Sequence, residues 1–190
     1  MRRLLATLCP DAKPVAGTAE EIPQPDGSVD AVFAAEAFHR FDGRRALAEI
    51  ARILRPHGVL VLMWNLPVTG WAPAVAPAER LLGDRLPRGE LLYDPFDLGS
   101  VIFTSGEWRA AFAGSPFEPL RERRFPNPQT LDRGGLVSFF ASMGWIADLP
   151  DGERLPLLDE VRSCLAAPSY RRTWETHVFW TRRLPADDVA

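Results

Sequence analysis

Two short apolar runs on either side of one amphipathic stretch constrain this chain more than any other feature. The first run is Val29 to Ala35, entered through Pro25-Asp26-Gly27-Ser28. A brief apolar run behind a turn suits a strand buried on both faces. Leu47, Ile50, Ala51 and Leu54 then recur at helical spacing, with Arg44, Arg45, Glu49 and Arg52 between them. That pattern predicts an amphipathic helix over about Arg44 to Leu54, laid on a sheet. Pro56 cannot continue the helix and Gly58 frees the turn behind it. Val59 to Trp64 is a second apolar run, β-branched and leucine-rich, ending at the polar Asn65. Strand, helix and strand in this order predict an α/β fold with parallel strands.

The segments around this unit are less regular. Residues 1–9 read as a helix end carrying Leu4, Leu5 and Leu8, and Pro14-Val15-Ala16 as a brief strand. Short helices are expected at Ala76 to Leu82 and Ser105 to Phe112, the latter capped by Ser105. A strand is expected at Phe117 to Phe125. Helices are expected at Thr130 to Ser142, facing inward with Leu131, Leu136, Phe139 and Phe140, and at Asp151 to Leu165, facing inward with Leu155, Leu158, Val161 and Leu165. Arg171 to Arg182 alternates like a strand, and Leu184 to Ala190 reads as a frayed tail. The organisation expected is one incomplete domain: core βα units over 1–65, cap-like insertions and an edge strand over 66–172, and a last strand over 173–183.

At 190 residues, 46% hydrophobic and 25% charged, the composition is that of a soluble globular domain. A net charge of −3 gives no electrostatic case for nucleic acid or an anionic membrane. Cys9 and Cys164 lack metal or redox spacing and read as reduced thiols of a cytoplasmic protein. No stretch reads as a signal peptide or a membrane span.

The ordered segment Gly17 to Asn65 also carries a resemblance. It contains Gly17-Thr18-Ala19-Glu20-Glu21-Ile22-Pro23, then Pro25-Asp26-Gly27-Ser28-Val29-Asp30, Phe38-His39-Arg40-Phe41, and Leu54-Arg55-Pro56-His57-Gly58 before the second apolar run. This order resembles the middle of class I S-adenosylmethionine-dependent methyltransferases of the type 11 group. His57 stands where the family more often has glycine. The resemblance implies a Rossmann-like sheet with the family's strands three, four, five, seven and six, a helical cap, and S-adenosylmethionine as cofactor. It implies methyl transfer to a small-molecule acceptor.

The family's Gly-rich turn after strand one and the acidic end of strand two have no counterpart here. Strands one and two are therefore expected to be missing, the chain to be an N-terminally truncated piece, and its activity to be impaired. A non-catalytic pseudo-methyltransferase binding module is the alternative. An oxidoreductase on a nucleotide-binding fold lacks a dinucleotide fingerprint.

By the resemblance, Thr18, Ala19 and Glu20 border the adenine, and an ordinary turn is the competing reading. Ala35 and Glu36 lie where open α/β sheets bind ligands, at the strand's C-terminal end. Small residues there would leave room for the sulfonium, and Glu36, where the family often has Gln, could steady a positive charge. His39 is a candidate catalytic base, against a half-buried packing histidine. Phe38, Trp64 and Trp71 are candidates for the acceptor pocket, against cap packing. Glu118, Arg121, Arg123 and Arg124 read as a solvated edge-strand face, and Trp174 and Trp180 as core.

Overall fold

The computed structural model describes residue 5, residues 7–68, residue 71, residues 73–85 and residues 106–185. The chain divides into two compact units: Met1–Trp64 with Gly106–Arg123 and Val178–Ala190, and Asn65–Ser105 with Arg124–His177. Among the described residues the strands are β1 (Val29–Ala35), β2 (Leu54–Pro67), β3 (Arg121–Asp132) and β4 (Ser169–Arg182). The helices are α1 (Gly43–Ile53), α2 (Ala76–Arg85), α3 (Glu107–Ala110), α4 (Arg133–Ala141), α5 (Gly144–Ala147) and α6 (Asp151–Ser163). The strands form one sheet in the order β1-β2-β4-β3.

β1 and β2 are parallel and in register from Ala31 against Val59 to Ala35 against Met63. The step from β1 through α1 to β2 is thus the βαβ unit expected from the sequence. Along β2, His57 N–H donates to Arg183 O, and further on Val68 N–H donates to Thr173 O. Partners descend β4 as they climb β2, so β4 runs antiparallel to β2. Glu118 N–H to Arg182 O and the Trp174 side-chain bond to Gln129 make β3 antiparallel to β4 by the same logic. Pro126 and Pro128 sit inside β3, which the sheet tolerates because β3 is an outer strand.

In the first unit, α1 buries Ala46, Leu47, Ile50, Ala51 and Ile53. Asp42 caps its start, accepting from Arg45 N–H at 3.2 Å. The Pro-Asp-Gly-Ser turn caps its end: Gly27 N–H donates to Arg52 O and Ser28 N–H to Ile53 O. Gly27 adopts φ 55°, which explains why the turn needs glycine there. The Arg52 guanidinium fastens the preceding loop to α1. It donates to Ile22 O, Gln24 O, Asp26 and Glu49, while Glu49 accepts from Ile22 N–H at 2.7 Å. These bonds hold the Glu49 carboxyl at a pKa of about 2, the Arg52 bond contributing most. Phe38, Trp64, Trp108, Phe112 and Phe179 form an aromatic cluster, with Trp64 and Trp108 centroids 4.9 Å apart.

In the second unit, α2, α4 and α6 close around Val75, Leu82, Leu136, Phe140 and Val161, each fully buried. Fully burying one such side chain contributes about 1.5–3 kcal/mol.

Some expectations are corrected. β1 is not buried on both faces: among its residues only Ala34 is buried, and Phe33 is 65% exposed. One side of its pleat, carrying Ala31, Phe33 and Ala35, is exposed. Pro14-Val15-Ala16 forms no strand, and Val15 is exposed. β3 runs to Asp132, so the helix expected from Thr130 starts at Arg133, where Asp132 caps it by accepting from Gly135 N–H. Phe117 makes an isolated bridge with Arg183 rather than opening the strand. In α6 the buried positions are Leu157 and Val161, with Leu165 beyond its end, while Leu155 is exposed. The Ser105 cap, Leu4 and the tail from residue 186 lie outside the described residues. No described helix is long and apolar enough to cross a membrane.

Candidate functional site

The C-terminal end of β1, where Ala35 pairs with Met63 of β2, is where the sequence placed the ligand. Its geometry is set by hydrogen bonds. Glu36 N–H donates to Met63 O at 2.9 Å, carrying the parallel ladder one residue past the end of β1. Glu36 does so at φ 50°, a left-handed conformation that disfavours non-glycine residues. Backbone strain of this kind concentrates at functional sites. Ala35 beside it is exposed.

Phe38 opens a 3-10 turn, Phe38–Arg40, and is 1% exposed against Phe41, Trp108 and Phe112. Trp64 is 2% exposed, and its indole N–H donates to His39 Nδ1 at 3.1 Å. An indole can only donate, so the ring nitrogen facing it carries no proton. The remaining proton of neutral His39 therefore sits on Nε2. Burial, with the Arg40 charge as a smaller cause, pushes the His39 pKa below its ordinary value. Both facts hold His39 neutral at pH 7.

The Gly17 loop folds back on itself, with Thr18 and Glu21 forming a small antiparallel bridge. A Cβ on Gly17 would lie 2.7 Å from Pro23 Cδ and 3.0 Å from Glu21 O, so this turn requires glycine. Glu20 accepts from Asp42 N–H at 3.0 Å. Its own backbone N–H, then that of Asp42, hold its carboxyl below the usual range. Thr18 lines an open hollow of about 520 Å³ with Gly17, Ile22, Glu49 and Arg52. Ala35 and Glu36 are not among its walls. The structure thus joins His39 with Trp64, and Glu20 with the start of α1.

Residues 1–62 match the family model described as "Methyltransferase domain". An uncharacterized methyltransferase of Mycobacterium tuberculosis is 33% identical over 168 residues, covering 87% of this chain and 60% of that protein. The chain is similar to methyltransferases over most of its length. An uncharacterized methyltransferase-like protein of Schizosaccharomyces pombe is 30% identical over 180 residues, covering 90% of this chain and 65% of that protein. The chain thus spans under two thirds of the length of these relatives. A solved structure described as a candidate type II methyltransferase from Anaeromyxobacter dehalogenans superposes with a TM-score of 0.52 at 24% identity, over 89% of this chain and 71% of that one. That likeness concerns the fold, a Rossmann-like α/β sheet.

For a methyltransferase donor, the residues at hand fit in part. Ala35 is small and open, and the Glu36 carboxylate stands at the end of β1, a suitable neighbour for a sulfonium. The Gly17 loop is closed by backbone bonds between Thr18 and Glu21, and its Glu20 carboxylate accepts from Asp42 N–H.

Other residues were not legible as important. Arg52 and Glu49 looked like a solvated helix face and proved to be the clip on the loop. The signal available was the Asp26 and Pro23 turn chemistry facing an arginine at the end of a helix. Arg172, on β4, is 2% exposed and was read only as part of a strand. Trp71 belongs to the second unit, packed on Phe139 and Phe140. Trp174 is buried and Trp180 half-buried. Arg121 and Arg124 are exposed and pair loosely with Glu118 and Glu175.

Proposed function

We propose that this chain serves methyl transfer from S-adenosylmethionine to a small-molecule acceptor, with the donor's sulfonium side at Ala35 and Glu36. The observation that carries this reading is the co-directional pair β1 and β2, in register at Ala35 and Met63, with Glu36 turned into a left-handed conformation just past the end of β1. Ligands of open α/β sheets bind beyond the carboxyl ends of such strands. Thr18, Ala19 and Glu20 are the wall for the adenine edge, kept in place by the Glu20 bond to Asp42.

When bound, the donor supplies a methyl group already activated on a sulfonium, so the protein's work is positioning and water exclusion more than proton removal. His39 suits that division of labour. Its Nδ1 is occupied by Trp64, so it orients rather than abstracts. Phe38 and Trp64 shape the site through packing, since both are buried.

Calorimetry with S-adenosylmethionine and S-adenosylhomocysteine tests the proposal. Saturable binding of both is expected. Glu36→Gln should weaken the cationic donor by about 2–5-fold, the range of an exposed ion pair, and leave the neutral product unchanged. Absence of binding by either ligand would remove the proposal for this chain.

A further inference from the structure

The loop that precedes β1 is placed by hydrogen bonds and not by a core. None of residues 17–28 is buried. A hollow of about 520 Å³ opens between Gly17, Thr18 and Pro23 on one side and Glu49 and Arg52 of α1 on the other. Close apolar packing therefore does not set where this loop stands against the helix.

One side chain sets it. Arg52 Nε donates to Glu49 Oε2 at 2.8 Å. Its Nη1 donates to Gln24 O at 2.9 Å and to Asp26 Oδ1 at 2.5 Å, and its Nη2 to Ile22 O at 3.0 Å and Glu49 Oε1 at 2.7 Å. A guanidinium carries five N–H groups in a fixed fork, and each has an acceptor here. Glu49 Oε1 also accepts from Ile22 N–H at 2.7 Å. Arg52 and Glu49 thus grip both polar backbone groups of Ile22, the residue that follows the Thr18–Glu21 bridge. The burial of α1 comes from other residues, Leu47, Ile50 and Ala51 among them, so loosening the grip leaves the helix folded.

We propose that Arg52 and Glu49 are positioning residues for the methyl donor: by fixing Ile22 they hold Thr18–Glu20 in the shape that meets the adenine. This rests on the methyl-transfer reading of the loop. Arg52→Lys keeps the charge but replaces the fork with a compact ammonium of three N–H donors, which does not span Ile22, Gln24 and Glu49 together. The released loop then holds the binding shape for only part of the time, and apparent affinity falls by that fraction.

Calorimetry with adenosine, S-adenosylhomocysteine and S-adenosylmethionine, well below the melting temperature, tests this. Arg52→Lys should weaken all three by the same factor, about tenfold, the loss expected when a loop is freed from a hydrogen bond to a charged group. Glu49→Gln keeps an acceptor for Ile22 N–H and should lose less. Arg55→Lys alters the ion pair with Asp30, away from the loop, and should leave all three affinities unchanged. Amide hydrogen exchange at Thr18–Glu20 should quicken in Arg52→Lys and not in Arg55→Lys. A merely structural role would lower the melting temperature and leave the affinity of the folded chain alone. Unchanged affinity in Arg52→Lys, equal losses in Arg52→Lys and Arg55→Lys, or a loss confined to S-adenosylmethionine would overturn the proposal, while binding by the parent keeps the methyl-transfer reading. No binding of any of the three by the parent would overturn both.

Discussion

The two units are held together by different means. The first depends on named polar contacts: Arg52 on the Ile22–Asp26 loop, Glu20 on Asp42, and the Pro25–Ser28 turn on the end of α1. The second depends on an apolar cluster around Leu136, Phe140 and Val161. Polar contacts of this kind need particular residue types at particular positions. An apolar cluster needs volume and pattern, which many sequences supply. The first unit therefore carries a recognisable motif, while the second reads only as amphipathic segments.

The largest test strikes the second unit. Phe140→Ala, at a fully buried position, should cost about 3–5 kcal/mol in urea unfolding. Leu136→Met, conserving volume, should cost less than about 1.5 kcal/mol. If the conservative change were as damaging as the cavity, the contrast between the units would fail.

Backbone fit gives the next effect. A Cβ on Gly58 would lie 2.9 Å from Arg55 O and 3.2 Å from Asp30 O, both backbone atoms. Gly58→Ala should destabilise by about 1–3 kcal/mol, as overpacking does. Gly83 in α2 is exposed, with open space at its Cβ. Gly83→Ala should stabilise by about 0.5–1 kcal/mol, by helix propensity alone.

His57 tests the motif itself. It adopts φ 62°, where a residue with a Cβ is strained, and the family more often has glycine there. His57→Gly should raise stability by up to about 1 kcal/mol, the left-handed penalty partly offset by chain entropy. A loss on thermal unfolding would show that His57 is retained for packing instead.

The smallest effect is the polar clip. The folded Glu49 pKa of about 2 lies below its ordinary 4.5. Its contribution is therefore fully present above pH 4.5 and lost as pH falls toward 2. The gap in melting temperature between the parent and Glu49→Gln should close over that window. Arg52→Lys should speed hydrogen exchange at Ile22 with little change in global stability. A gap that is constant with pH would mean that the carboxylate does not hold the loop.

What could be read beforehand follows the same division. β1 matched its expected bounds because a turn and an apolar run delimit it, and α1 matched within a residue because Asp42 and Pro56 bracket it. β3 did not, because Pro126 and Pro128 argue against a strand until its outer position is known. The exposed face of β1 was hidden too, since an apolar run does not say whether a neighbour covers it. At the candidate site, residue types were legible and states were not. No pattern shows that Trp64 donates to His39 or that Glu36 turns left-handed.

The central claim is that the C-terminal end of β1, beside Met63 of β2, meets the methyl donor. Backbone amide NMR of the chain during titration with S-adenosylmethionine tests it most directly. The account predicts saturable shifts at Ala35 and Glu36 and along Thr18–Glu20. Shifts confined to other residues, or none at saturating donor, would contradict it.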